Sequence, residues 1–585
     1  MAKGKPKSPA MAVTRLALLR RLLGSFWIWL GTAIVALLGF YASGVRDWLL
    51  PSPRAVACEL REWLLAEPAS GRGFAILVSD LAHDPDGRQS GHIAAALREQ
   101  PGLEVLRTCR VLAIAPYGDQ TRARAAAEAQ GRQWLEQQRA DLLLWGEVVE
   151  DNRQLRLWFL DRRQRSRLRS EAYALERAEL PPDFSREFAE QLVAMALLSL
   201  SPAAEQAARE RLALLRALAD KLRRLLALPP PELTPQQRAA LHYTYALAQT
   251  LVGEQAGEVE RLRLALEGFA AALGDWPRRR FPEHWAMIQN GRGIALRALG
   301  EREGGAEYLS QALAAYDAAL AVYSRERTPL DWAMVQNNRG NVLRLLGERE
   351  PGSERLEQAV AAFRAALTAY DRDAHAADWA MVQTNLGAAL RALGERAPGT
   401  APLEQAVAAY GEALAATDRA RSPLDWAAAQ NNLANTLRLL GQRQGDAATL
   451  RLALAACRAA LEEWSRERAP LDWAAAQANL GNILRALAVQ EQNAGLLVEA
   501  LSAYQAALLE QTRERVPLAW AMTENGLGNT LLLLGLLEDQ PERLHQAAEA
   551  YRGALSVFWS LGAVHYAAGV EDNLRRAEAA LAQRR

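Results

Sequence analysis

Trp285, Trp332, Trp379, Trp426, Trp473 and Trp520 stand 47 residues apart, with no insertion between them. A fixed internal period of this length is the mark of a solenoid. One unit cannot bury its apolar face alone, so neighbouring units must stack to do it. A unit reads P-L-D-W-A-M-V-Q-N-N-R-G-N-V-L-R-L-L-G-E-R-E from Pro329 to Glu350, then L-E-Q-A-V-A-A-F-R-A-A-L from Leu356 to Leu367. Each half has helical spacing, so each unit is a pair, helix A and helix B.

The segments Thr328-Pro329-Leu330-Asp331 and Ser422-Pro423-Leu424-Asp425 read as caps with proline in the first turn of helix A. Gly300, Gly347, Gly394, Gly441 and Gly535 fall 15 residues after their tryptophans and read as C-terminal stops. On a helical wheel Trp332, Leu343 and Leu346 share one face, with Ala333 and Gly340 to the side, where small residues permit close helix contact. Helix B carries Leu356, Ala359, Phe363, Ala366 and Leu367 on one stripe, and Cys457 takes the aromatic place in the fourth unit. The array runs from residue 236 to 585. It opens on a degenerate unit with Gly253 at the stop position and closes on a helix with Asn573 in register. Residues 201 to 235 give a helix over Pro202 to Leu228 and a stiff Pro229-Pro230-Pro231 linker.

The asparagine-x-glycine of helix A and the alanine-x3-aromatic-x2-alanine of helix B resemble tetratricopeptide repeats, over six full units from Pro282 to Leu555. The period here is longer than that family's, so both helices are extended. The resemblance implies a mainly α, right-handed helical-repeat solenoid whose A helices line a concave groove. Asn337, Asn341 and Arg344 lie five, nine and twelve residues after their tryptophan, opposite the apolar face. Asn431, Asn435 and Arg438 hold the same slots, as do Asn482 and Arg485, Asn525 and Asn529, and Arg297 and Arg391. Asparagine can bridge both amide groups of an extended peptide, and arginine can clamp a carboxylate. These residues are the candidate groove for an extended, acidic protein segment. A second reading stays open. The asparagines can bond to adjacent helices, and Arg297, Arg344 and Arg391 can pair with Glu301, Glu348 and Glu395 four residues on.

The first 200 residues are of other kinds. Leu22 to Val45 contains no charged side chain and is long enough to cross a bilayer, at about 1.5 Å per residue. Residues 1 to 21 form a basic tail with Lys3, Lys5, Lys7, Arg15, Arg20 and Arg21 and no acid. The positive-inside rule therefore puts the amino terminus in the cytoplasm. Everything after residue 45 then faces the other side, which in a bacterial inner membrane is the periplasm. A cleaved signal peptide ending near Ala42-Ser43-Gly44 is the rival. Residues 46 to 72 are a juxtamembrane linker.

Residues 73 to 200 read as a small α/β domain. Its strands are Phe74 to Val78, Leu103 to Ile114, Asp141 to Val148 and Gln154 to Leu160. Its helices are Gly91 to Gln100, Arg122 to Gln138 and Phe184 to Leu200. This order, with Asp84-Pro85 after the first strand and W-G-E-V in the third, resembles the TolB-type amino-terminal domain, and the resemblance transfers no catalytic residue. His83, Asp84, Asp86 and His92 are close in sequence without a recognised ligand spacing, so they read as a solvated turn.

Net charge is +1 from 69 basic and 68 acidic side chains, which gives no drive toward nucleic acid. Three cysteines exclude a disulfide framework, though Cys58 and Cys109 could pair. No phosphate loop, nucleophile elbow or zinc pattern occurs, so no cofactor, metal or catalytic role is expected. The expected function is a membrane-anchored scaffold that binds a protein or peptide in its groove. The alternative is an envelope sensor whose α/β domain binds a small ligand and signals through the repeats.

Overall fold

The computed structural model describes residues 68–584, apart from 71–72, 85, 113–119, 150–153, 163–176, 181–185, 201–204 and 232. The expected span Leu22 to Val45, the basic tail and Cys58 lie outside the described residues. Among the described residues, no helix is long and apolar enough to cross a membrane.

The chain begins with a sheet. β1 (Phe74–Asp80), α1 (Arg88–Arg98), β2 (Leu103–Val111), α2 (Gln120–Gln138), β3 (Leu142–Val149), β4 (Gln154–Asp161), β5 (Arg177–Leu180) and α3 (Arg186–Ser199) follow in order. The sheet order is β2-β1-β3-β4-β5. β1 pairs in parallel with β2 and β3, while β4 and β5 complete it antiparallel. β5 is an element that the sequence pattern did not reveal. Strand β1 is buried along its whole length, as a strand covered on both faces must be. Ala75 and Leu77 face Trp134 and Leu135 of α2, and Ile76 and Val78 share a core with Ile93 and Leu97 of α1.

Helix α3 joins this domain to the repeats. Leu192, Val193, Ala194, Met195, Ala196, Leu197 and Leu198 are all buried. A helix apolar on every side needs cover on every side. The sheet gives it on one flank, and α4 (Glu205–Ala227) with α5 (Pro235–Ala256) gives it on the other. One apolar core therefore runs from Phe74 through α3 to Ala248 and Ile288.

The degenerate unit is α5 with α6 (Val259–Asp275). Six full A/B pairs follow: α7 (Pro282–Glu303) with α8 (Ala306–Leu320), α9 (Pro329–Arg349) with α10 (Glu354–Leu367), α11 (Ala376–Arg396) with α12 (Ala401–Ala416), α13 (Pro423–Gln444) with α14 (Ala447–Glu463), α15 (Pro470–Glu491) with α16 (Ala494–Leu508), and α17 (Pro517–Leu537) with α18 (Pro541–Ser560). Helix α19 (Val564–Ala582) closes the stack. Successive A helices touch across each unit boundary, and successive B helices do not come as close, so the A helices line the inner side.

Within a pair, the glycine eight residues after tryptophan meets the ring of helix B. A Cβ on Gly340 would come 2.7 Å from Phe363 Cε1, and one on Gly387 2.7 Å from Tyr410 Cζ. Gly293 meets Tyr316, Gly481 meets Tyr504 and Gly528 meets Tyr551 in the same way. The fourth unit has Ala434 at this position and Cys457 in place of the ring, both buried, so the added methyl is matched by a smaller partner. The tryptophans are half-buried lids. Arg419 stacks over Trp426 at 4.3 Å, and Arg278, Arg372 and Arg513 cover Trp285, Trp379 and Trp520 at 5.1, 5.2 and 5.7 Å.

Two expectations need correction. Gly300, Gly347, Gly394, Gly441 and Gly535 do not end their helices. α7 continues to Glu303 and stops at Gly304, which takes the left-handed conformation at φ 70°. These inner glycines make room for a leucine of helix B: a Cβ on Gly300 would lie 2.7 Å from Leu309 Cδ2, and one on Gly394 2.6 Å from Leu403 Cδ2. Proline opens the A helices of the six units except α11, which starts at Ala376, and neither Thr328 nor Ser422 makes a side-chain cap bond. Thr328 instead donates its hydroxyl to Ser324 O.

The glycine–ring fit gives a stability prediction. Cys457→Tyr should destabilise the chain by about 1–3 kcal/mol, because Ala434 already fills the space a ring would need. Adding Ala434→Gly should recover most of the loss in thermal unfolding, and a double variant no better than the single would contradict the fit.

Candidate functional site

The inner face is built from columns of side chains that recur once per unit. The column five residues after tryptophan holds Asn290, Asn337, Asn431 and Asn525, and the next holds Asn338, Asn385, Asn432 and Asn479. The two interlock. Asn338 donates to Asn290 Oδ1 at 3.0 Å, Asn385 to Asn337 Oδ1 at 2.9 Å, and Asn479 to Asn431 Oδ1 at 2.9 Å. Each bond crosses from one A helix to the next. Asn337 is fully buried, so it and Asn431 join helices, contrary to their expected place on an open groove. The physical reason is the close approach of successive A helices, which brings these two columns face to face.

The column nine residues after tryptophan serves its own unit. Tyr504 donates to Asn482 at 2.8 Å, and Tyr551 to Asn529 at 2.9 Å. Asn573 of the closing helix also donates to Asn529, at 2.9 Å. Asn435 accepts from Arg438 at 2.9 Å. Asn341 is half-buried, and the ring of its unit is Phe363, which has no hydroxyl to donate. Asn525 has its Oδ1 buried. Sequence reasoning missed the tyrosine hydroxyls, although the ring column itself was visible. Burial pushes the Tyr410 hydroxyl up to about 12 and raises Tyr504 as well.

Arg297, Arg344, Arg391, Arg438 and Arg485 form the third column, and the structure brings all five to the same place on their A helices. Their surroundings differ. Arg297 binds Glu301 and Glu254, each at 2.7 Å. Arg344 binds Glu348 at 2.5 Å, and Arg391 binds Glu395. Arg438 instead bonds Gln442 at 2.6 Å and Asn435. Burial, followed by the positive charge of Arg485, pushes the Arg438 guanidinium down to about 10. Arg485 is half-buried beside Tyr504. The residue four positions after the arginine, sixteen after tryptophan, changes along the stack: Glu301, Glu348, Glu395, Gln442, Val489, Leu536. That gradient is present in the sequence, but it becomes visible only once the columns are aligned in space.

The acidic turn of the α/β domain holds itself together. Asp84 is buried and accepts from Arg88 N and Ser90 N, both at 3.1 Å, which caps α1. Arg107 binds Asp80 at 3.0 Å. His83, Asp86 and His92 are exposed. Among the described residues, no group of three or more His, Cys, Asp or Glu is placed to hold a metal. Cys109 is disulfide-bonded, and Cys457 is a buried free thiol that burial pushes up to about 12.

No family model matches the sequence. No curated protein matches it either. Among solved structures, the chain is similar to the Cut9–Hcn1 hetero-tetramer of the APC/C, at 16% identity and a TM-score of 0.38, over 67% of this chain and 63% of that one. It is also similar to yeast Tom70, at 14% identity and a TM-score of 0.37, over 69% and 68% of the two chains. A third similarity is to a yeast Sti1 TPR2AB-domain complex with pHSP90, at 15% identity and a TM-score of 0.19, over 57% and 98%. The chain thus spans just under two thirds of the first of these.

The asparagine ladder makes a prediction about stability. Asn337→Ala removes the acceptor of Asn385 and leaves that half-buried amide unpaired, which should cost about 0.5–1.5 kcal/mol. Denaturant unfolding measures it, and an unchanged midpoint would show that the ladder does not hold successive A helices.

Proposed function

We propose that the chain is a membrane-anchored scaffold whose repeat array binds an extended segment of a partner protein along the inner face of its A helices. The observation that carries this reading is the arginine column. Five half-buried guanidinium groups stand at one helical position in successive units. Packed helices lie about 8–10 Å apart, so a column of this kind suits a chain laid along the stack better than a compact ligand. The reading gives the protein no catalytic step and no cofactor, and it does not call on nucleic acid.

Anchoring belongs to the same proposal. The uncharged run Leu22 to Val45 would span an inner membrane, with the basic tail inside and residues 46 to 585 in the periplasm. The flanking charges support this orientation, and the disulfide at Cys109 fits an oxidising compartment. Alkaline phosphatase fused after Arg585 should then be active, and green fluorescent protein in its place should be dark. The reverse pattern would overturn the orientation.

A second reading draws on a different observation. Because the sheet, α3 and α5 share one core, a small ligand held by the α/β domain would act on the first repeat directly. A ligand-induced thermal shift of the whole chain, with no protein partner recovered, would favour that sensor.

The scaffold reading has its own test. A photo-crosslinking residue replacing Val489, at the inner edge of α15, should capture a partner from solubilised membranes. The same residue replacing Arg458, exposed on α14, should capture much less. Equal capture at both positions would contradict binding along the A helices.

A further inference from the structure

The arginine column divides into two parts, and only one part has charge to offer a ligand. Arg297, Arg344 and Arg391 each bind the glutamate one turn further on. In the fourth and fifth units that glutamate is replaced by Gln442 and Val489. Arg438 bonds two amide oxygens, which carry no charge. The carboxylate that acts on it, Glu395, is already bound by Arg391. Neither Arg438 nor Arg485 makes an ion pair among the described residues. Two like charges therefore stand in adjacent units, close enough for Arg485 to act on Arg438.

Beside them the surface turns apolar. Val489 is 59% exposed, Leu536 40% and Leu537 66%. Among the described residues, no large hydrophobic side chain between Leu228 and Leu452 is exposed in this way. Solvent-facing apolar groups next to unneutralised cations describe a surface that lacks its complement. A carboxylate would supply the missing charge and replace the glutamate ion pair that the first three units provide from within. An adjoining apolar side chain would cover Val489 and Leu536.

We propose that the ligand subsite of the array is confined to units four to six, where Arg438 and Arg485 bind a carboxylate and Val489 with Leu536 receives the apolar residue next to it. This rests on the scaffold reading above and narrows it. The first three rungs are internal salt bridges, and a partner passes over them without an ionic contact. The carboxylate has two sources, an acidic side chain or the carboxyl terminus of the partner.

The test uses the substitution that the chain itself makes elsewhere. Gln442→Glu with Val489→Glu installs in units four and five the glutamate of units one to three. Both positions are exposed, so the fold has room for it. Three dye-labelled heptapeptide probes would be titrated against the full chain by fluorescence anisotropy. One alternates glutamate and leucine with an amidated end, one alternates glutamine and leucine with a free carboxyl terminus, and one alternates lysine and leucine with an amidated end.

The proposal expects at least one of the two carboxylate probes to bind and the lysine probe not to. Whichever carboxylate probe binds more tightly identifies the source. Q442E/V489E should weaken that binding by about tenfold or more, the size of a lost charge-assisted contact, with an unchanged melting temperature. Arg297→Gln with Arg344→Gln should change it by less than about twofold, since those guanidinium groups are already engaged. Binding that survives Q442E/V489E, equal weakening by R297Q/R344Q, or no binding of either carboxylate probe would each overturn the subsite. Any of these would leave partner capture at the inner face to be judged separately, so the two failures are distinguishable.

Discussion

The fit of a helix-B ring against a helix-A glycine sets the geometry on which the rest of the array depends. Phe363 against Gly340 and Tyr410 against Gly387 bring the two helices closer than side chains would otherwise allow. Close packing of this kind tolerates little change in volume. The fourth unit shows the same rule from the other side, since Ala434 is matched by Cys457 and not by a ring. Once each pair is fixed, the next A helix has one place to go. The asparagines of adjacent A helices then meet at 2.9–3.0 Å, as Asn385 and Asn338 do with Asn337 and Asn290. The inner face is therefore held by shape first and by amide bonds second.

On that face, charge is arranged by unit. In the first three units arginine and glutamate alternate along the helix and neutralise one another, a pattern of partly exposed pairs that contributes little stability. Further along, glutamate gives way to glutamine, valine and leucine while arginine persists through Arg485. A gradient at a single structural position, running from paired charge to cation and apolar surface, gives the array a direction. One end continues the core of the α/β domain through α3, and the other presents the surface that lacks a complement.

Much of this was legible in the sequence because the period fixes what repeats. The helix pairs, their proline starts, the degenerate first unit and the in-register Asn573 follow from spacing alone. The groove was only partly legible. A helical wheel treats each A helix in isolation, so it set Asn337 on the face away from its own partner without showing that the next A helix lies against that face. The inner glycines read as stops in the sequence because glycine serves both roles, and Leu309 and Leu403, which need the space, lie in another helix. The short strand β5 carries no alternation strong enough to announce it. In the arginine column the sequence showed the residue that stays constant, and the structure showed that its neighbour is the one that varies.

The proposed scaffold depends on one claim, that the A-helix face is where this chain would meet a partner. A structure of the full chain with a partner captured from membranes tests it most directly. The account predicts an extended segment lying along the A helices, with a carboxylate against Arg438 and Arg485 and an apolar side chain over Val489. A partner seated on the outer surface of the B helices, or on the sheet of the α/β domain with the A helices bare, would contradict it.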